Sequence, residues 1–242
     1  FWTGCQFTCD QLRALDVGSV TPISYGVDTE ALVELDDRPL IEPLRLIVVS
    51  RLAPNKRVDH AIKVVGQLRE EGVKTVLRVV GDGQEREALG RLVDELKLQA
   101  EVEFAGRLAE TEKDAALRDA HLLLHTSVRE GWGLNVTEAN AMGTPAVVYP
   151  VPGLEESTLH AKTGLVSEQE SPESLAAAVQ IALQQPKKYQ QWRVAALDRA
   201  RSLHWDNVLP GACDQLEAWA RGRSEHGSSS LPRGLSRRLA DR

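Results

Sequence analysis

Three cysteines in 242 residues, Cys5, Cys9 and Cys213, are too few and too scattered for a disulfide framework, so a reducing, cytoplasmic setting is the expectation. Cys5 and Cys9 have helical i,i+4 spacing, but no paired His or second Cys cluster follows, and they read as small apolar residues rather than metal ligands. No stretch approaches the ~18 to 20 uninterrupted apolar residues of a membrane span, and the start lacks the charged and apolar regions of a signal peptide. Positive charge is in deficit, with 29 Lys and Arg against 35 Asp and Glu and a net charge of −6, which argues against broad attraction to nucleic acid or anionic lipid. An anion bound by such a chain needs a few placed cations, because there is no general positive field. The only methionine is Met142 and the first residue is Phe, so the chain reads as a fragment.

What is present is an alternation of apolar runs and helical periods. LRLIVVS (44–50) is a continuous β-branched run of the kind buried on both faces of a sheet, and Val58, Ala61, Ile62, Val65 and Leu68 follow at helical spacing up to Gly72. The unit recurs: TVLRVV (75–80) precedes a helix carrying Leu89, Leu92, Val93 and Leu96, VEFA (102–105) precedes a helix at 115–120, and HLLLH (121–125) precedes a helix ending near Gly143. AVVY (146–149) and a short sixth strand at Leu165 and Val166 complete the series. This is the pattern of an α/β, Rossmann-like, doubly wound parallel sheet of about six strands.

The remaining segments divide the chain. Residues 1–43 hold a helix at 8–16, an extended run at 21–25 and a polar stretch, the end of a preceding domain plus a linker. Residues 44–171 form the sheet domain. Residues 172–220 read as three closing helices, with Leu175, Ala178, Val179 and Leu183 on one face, then Trp192, Val194, Ala195 and Leu197, then Leu209, Leu216 and Trp219. Residues 221–242, with six Arg against Glu225 and Asp241 and a Ser-Pro-Gly-rich centre, read as a disordered basic tail.

In an open parallel sheet of order 3-2-1-4-5-6, ligands bind beyond the carboxyl ends of the strands, between the first and the fourth. The first of those loops, Ser50-Arg51-Leu52-Ala53-Pro54-Asn55-Lys56-Arg57, carries three cations and no carboxylate. The other, Thr126-Ser127-Val128-Arg129-Glu130-Gly131-Trp132-Gly133, leads straight into a helix. Glycines let backbone approach a ligand, free N–H groups at a helix start attract phosphate, and Arg51 and Lys56 could clamp the same group. Glu130 and Glu138 could line the mouth and accept hydrogen bonds from hydroxyls, so a phosphate site flanked by hydroxyl acceptors suits a sugar nucleotide. The plainer reading is a tight turn, a solvated cationic loop and helix-start glutamates. Gly81-Asp82-Gly83 lacks the third glycine of a dinucleotide fingerprint, since Arg86 stands there, and His121 and His125 lack the glutamate of a zinc HExxH motif. His160 has no Cys or Ser partner, and Trp192, Trp205 and Trp219 read as packing residues of the closing helices.

Taken in order, Tyr25-Gly26-Val27-Asp28, Val49-Ser50-Arg51-Leu52 with Lys56, Val80-Gly81-Asp82-Gly83, Phe104-Ala105-Gly106, EGWGLNVTEANAMGTPAVV (130–148) and Pro152-Gly153-Leu154 resemble the carboxyl-terminal, donor-binding lobe of a GT-B glycosyltransferase of glycosyltransferase family four. The resemblance implies that Arg51 and Lys56 bind a nucleotide diphosphate, that Glu138 meets the ribose, and that Glu130 meets the transferred sugar, with Glu130, Arg51 and Lys56 as the catalytic set. It further implies that backbone groups of Gly131, Trp132, Gly133, Leu134 and Asn135 lie against phosphate and sugar, and that backbone near Leu108 meets the base. The implied reaction retains anomeric configuration and needs no cofactor and no metal. The implied acceptor site belongs to an amino-terminal lobe of which only the end is here, so the chain alone is expected to bind donor weakly and to transfer nothing. Arg57 departs from the pattern, standing where glycine commonly follows the lysine. Competing readings are a catalytically silent GT-B-like interaction module, a GT-B relative such as a sugar-nucleotide epimerase or a phosphorylase, and a nicotinamide-dependent oxidoreductase.

Overall fold

The apolar runs pair edge to edge because each is buried on both faces and must satisfy its backbone against parallel neighbours. The computed structural model describes residues 1–18, 20–23, 25–27 and 34–225, with side chains through Arg221. Its elements in chain order are β1 (Trp2–Thr3), α1 (Gln6–Ala14), β2 (Thr21–Pro22), β3 (Leu44–Val49), α2 (Val58–Glu70), β4 (Thr75–Val80), α3 (Arg86–Glu95), β5 (Val102–Gly106), α4 (Glu110–Asp119), β6 (Leu122–His125), α5 (Leu134–Ala141), β7 (Ala146–Val148), α6 (Pro152–Ser157), β8 (Gly164–Val166), α7 (Pro172–Leu183), α8 (Pro186–Ser202) and α9 (Trp205–Glu225). A single 3-10 turn, Pro54–Lys56, lies between β3 and α2.

β3 to β8 form one parallel sheet in the order β5-β4-β3-β6-β7-β8. Chain order runs outward from β3 to β5 and then reverses at β6, so the winding changes direction between β3 and β6, as the sequence reading requires. Leu46 and Ile47 sit opposite Leu122 and Leu123 at that junction, all four buried. α2 packs on α3 and α7, while α5 packs on α4, α6 and α8. The core runs through this stack, from Leu44, Leu46 and Ile47 through Leu122 to Leu124 to Leu175 and Val179.

Several boundaries differ from the sequence reading. α1 begins at Gln6, where its first free N–H groups meet a carboxylate: Gln6 N and Phe7 N donate to the two oxygens of Glu156 in α6, at 2.8 and 3.0 Å. α4 starts at Glu110 rather than Ala115, because Ala109 N donates to Glu112 Oε2 at 3.0 Å and closes a polar first turn that has no apolar period to show. α6 was not anticipated; six residues starting on Pro152 are too few for a period to register. The extended run at 21–25 shortens to β2, which pairs in parallel with β1.

In α8 the inward positions are Trp192, Arg193, Ala196 and Leu197, and Val194 is 51% exposed. Arg193 is buried because its guanidinium is satisfied: Nη2 donates to Asp36 Oδ1 at 2.7 Å, Nη1 to Asp36 O at 2.8 Å and Nε to Gly143 O at 3.1 Å. Leu209 and Leu216 of α9 are exposed, and the ring of Trp219 lies 5.5 Å from that of Trp2, tilted by 36°, rather than entering the core. α9 also continues to Glu225, into the stretch read as tail, and the rest of that stretch lies outside the described residues, as does Asp28.

Candidate active site at the β3–β6 junction

The loops after β3 and β6 are tied together by four hydrogen bonds to backbone carbonyls. Thr126 Oγ1 donates to the carbonyls of Lys56 and Arg57 at 2.8 and 2.9 Å, Val128 N donates to Asn55 O at 3.0 Å, and Asn135 Nδ2 donates to Val49 O at 2.8 Å. The start of α5 is thereby held against the end of β3. Lys56 completes the closure with its side chain: Nζ donates to Glu130 Oε2 at 2.6 Å, and the two side chains are 15% and 22% exposed.

Arg57 has φ +45°, in the left-handed region, which is the physical reason glycine commonly occupies that place. Its side chain leaves the site and pairs with Glu170 at 2.9 Å. Arg51 is exposed, on backbone fixed by Ser50 N donating to Val80 O and Leu52 N donating to Asp82 O, both at 3.0 Å. Leu52 is fully buried, so the loop is anchored while the Arg51 guanidinium stays in solvent. Gly81, with φ +126°, passes directly beneath the Ser50 carbonyl, which gives the Gly-Asp-Gly segment a packing role.

The turn before α5 depends on two glycines of different kinds. Gly133 is the residue before the helix and has φ +85°, while Gly131 is exposed and a β-carbon on it would meet nothing within 4 Å. Trp132 between them turns its ring inward, where Nε1 donates to Thr137 Oγ1 at 3.0 Å and the side chain packs with Cys5 and Leu203. Leu134, the first residue of the helix, is exposed, and Asn135 beside it is half-buried.

Glu138, one turn into α5, lies apart from the Lys56–Glu130 pair. It lines a cavity of about 500 Å³ with Val27, Glu110, Lys113, Leu134 and Met142. Lys113 Nζ sits 2.6 Å from Glu110 Oε2 and 3.2 Å from Glu138 Oε1. Burial alone would push the Lys113 ammonium down, but the hydrogen bonds and charges of Glu110 and Glu138 reverse this and raise it above its ordinary value. Leu108 is partly buried on the loop that leads from β5 into α4.

Two residues of the site escaped the sequence reading. Lys113 was hidden in a polar helix start, where charges are usually solvated. The sequence reading takes up His125 only to set aside a zinc motif; it is buried at the end of β6 with Nε2 3.6 Å from Glu130 Oε2. Burial holds its imidazole well below the ordinary value, against the opposing charge of Glu130. A histidine five residues before a glutamate, across a strand-to-turn junction, is the one signal the sequence offered. His121 is likewise buried, with Nδ1 accepting from Arg45 N at 3.0 Å. Among the described residues no group of three or more His, Cys, Asp or Glu is disposed to hold a metal ion, and no helix is long and apolar enough to cross a membrane.

Residues 37–199 match the family described as Glycosyl transferases group 1. A glycogen synthase of Mycobacterium tuberculosis (strain CDC 1551 / Oshkosh) is 30% identical over 210 residues, 86% of this chain and 51% of that protein. A D-inositol 3-phosphate glycosyltransferase of Corynebacterium glutamicum (strain R) is 27% identical, with 78% of this chain and 49% of the relative covered. The chain thus spans about half the length of these relatives. Among solved structures, sucrose-phosphate synthase from Thermosynechococcus elongatus superposes with a TM-score of 0.80 at 21% identity, over 92% of this chain and 58% of that one. Anabaena Alr3699/HepE in complex with UDP and glucose superposes at 0.77 and 19% identity, over 90% and 62%. With its parallel six-stranded sheet wound as in these GT-B neighbours and two thirds of its length matching the family model, the chain belongs to the group 1 glycosyl transferases.

Proposed function

We propose that this chain is the donor-binding half of a retaining, metal-independent hexosyltransferase of glycosyltransferase family four, moving a sugar from a nucleotide diphosphate to an acceptor hydroxyl. The observation that carries the reading is the Lys56–Glu130 contact of 2.6 Å, which joins the two loops flanking the point where the winding reverses. A cation from the β3 loop, a carboxylate from the β6 loop and the free N–H groups at the start of α5 are the parts a sugar diphosphate requires. Relatives named as glycogen synthase and inositol phosphate glycosyltransferase, and a structural neighbour in complex with UDP and glucose, support the same substrate class.

In this reading Arg51 and Lys56 take the diphosphate, Glu130 the sugar hydroxyls and Glu138 the ribose, with the base near Leu108. The anomeric C–O bond to the diphosphate breaks, its electron pair leaves on phosphate oxygen, and the acceptor hydroxyl oxygen bonds the same face while its proton passes to that departing phosphate oxygen. Cations beside the leaving oxygens stabilise the charge as it develops there, so no divalent ion is invoked. The acceptor site lies in an amino-terminal lobe, and this half alone binds donor without transferring it. Three unpaired thiols, Cys5, Cys9 and Cys213, fit the reducing cytoplasm to which we assign the protein. Titration calorimetry with UDP, GDP and ADP tests the reading: saturable heat with one of them is expected, and silence from all three in a folded sample refutes it. A silent interaction module would keep its partner binding in Arg51→Ala and Lys56→Ala variants, whereas a donor lobe loses nucleotide affinity.

A further inference from the structure

We infer that His125 is a positioning residue, fixing one carboxylate oxygen of Glu130 on the protein side so that the other faces the cleft. The inference rests on the reading of Glu130 as the sugar-binding carboxylate and adds the group that orients it.

Each imidazole nitrogen faces one polar neighbour. Ser127 N lies 3.5 Å from Nδ1 with its N–H directed at the ring, which makes Nδ1 the acceptor and leaves the proton on Nε2. Nε2 points at Glu130 Oε2, 3.6 Å away. The same Oε2 accepts from Lys56 Nζ at 2.6 Å, so the lysine and the nearby imidazole edge meet at one oxygen. Oε1 receives neither. The ring cannot swing aside, because His125 is 4% exposed in a strand buried along its whole length.

This divides the work between two donors. Lys56 is on a loop and, in the proposed function, must also serve the diphosphate, so its hold on Glu130 is shared with ligand. His125 is on a strand and has no such second task. A buried neutral donor at that point keeps the carboxylate in place when the lysine turns toward phosphate. Burial favours the neutral ring, so the donor persists without adding a second cation beside Lys56.

Two measurements on the 242-residue chain test this. The first is titration calorimetry with UDP, GDP and ADP and with their glucose conjugates. Relative to the parent chain, His125→Leu is expected to weaken binding of the sugar nucleotide about tenfold while leaving the free nucleotide within about twofold, and His125→Gln, which keeps a donor, should recover most of the loss. An equal effect on nucleotide and sugar nucleotide, or none on either, overturns the inference. The second is long-range nitrogen–proton NMR of the imidazoles, which needs neither donor binding nor a His125 variant that folds. The expected spectrum shows His125 neutral with its proton on Nε2, and Glu130→Ala moves that Nε2 resonance; a proton on Nδ1, or indifference to Glu130→Ala, overturns it. If the parent chain binds none of the nucleotides, the proposed function fails, and the spectra still decide whether His125 holds Glu130.

Discussion

Gly153 lies directly beneath Glu130: a β-carbon on Gly153 would collide with the Glu130 carbonyl oxygen and stand 2.7 Å from the Gly131 carbonyl carbon. The Pro-Gly-Leu step that opens α6 therefore supports the turn carrying the candidate sugar-binding carboxylate. Gly153→Ala must displace that turn. The expected cost is about 1–3 kcal/mol of stability, the range for overpacking a filled site, together with loss of donor affinity. Thermal unfolding and titration of the same sample check both.

Gly131 gives the opposite expectation from one residue along the chain. Nothing lies within 4 Å of where its β-carbon would be, and it is exposed, so the fold has no need of glycine there. If a diphosphate passes close to that backbone, the ligand has the need. Gly131→Ala should keep stability within about 0.5 kcal/mol and yet weaken nucleotide binding by about tenfold, a pairing that a merely structural turn would not produce.

The Lys56–Glu130 pair is neither buried nor free, and its worth falls between the two limits. Exposed pairs contribute about 0–1 kcal/mol, while breaking a buried pair costs about 3–5 kcal/mol. With side chains 15% and 22% exposed, a coupling of about 1–2 kcal/mol is expected from the cycle Lys56→Ala, Glu130→Ala and both together. Additive denaturation midpoints would show that the two loops are closed by the Thr126, Val128 and Asn135 contacts without help from the ion pair.

The sheet was legible because buried parallel strands need unbroken apolar runs: LRLIVVS and TVLRVV differ from β3 and β4 by one residue at most. Where the winding reverses follows from strand order, so the meeting of the 50–57 and 126–133 loops was legible too. What was not legible depended on side chains reaching across the fold. Arg193 is a charged residue that replaces Val194 inward because the linker's Asp36 and the Gly143 carbonyl satisfy it, and no local period encodes that. Lys113 reaches Glu138 from a different helix, and His125 reaches Glu130 around a turn. Both contacts join residues whose own segments gave an ordinary reading, solvated helix in one case and apolar strand in the other.

Arg57 pays for its left-handed backbone. An L-residue there costs roughly 1–2 kcal/mol, which glycine avoids at the expense of about 0.4–1 kcal/mol of extra unfolded-state entropy. Arg57→Ala keeps the strain and drops the pair with Glu170, whereas Arg57→Gly drops the pair and relieves the strain. The glycine variant should be the more stable of the two by about 0.5–1 kcal/mol in urea denaturation. Equal midpoints would mean that the loop relaxes its dihedral angles at no cost.

Acid should loosen the fold through His121 before the carboxylates respond. Its imidazole is lowered from an ordinary 6.5 to about 4, chiefly by burial, with the charges of Arg45 and Arg38 adding to the effect. The native ring is therefore neutral in a range where the unfolded ring binds a proton. The stabilisation is complete above pH 6.5 and is lost as pH falls from there toward 4, by an amount on the order of 3 kcal/mol at the limit. His121→Asn removes the titration while an amide oxygen takes over the acceptor role of Nδ1 toward Arg45 N. Its smaller side chain lowers stability at every pH alike, so the comparison rests on slope rather than level. Between pH 7 and pH 4 the parent chain should lose melting temperature more steeply than the variant. Parallel slopes would shift the acid sensitivity to His60 and His125, the other imidazoles that burial lowers.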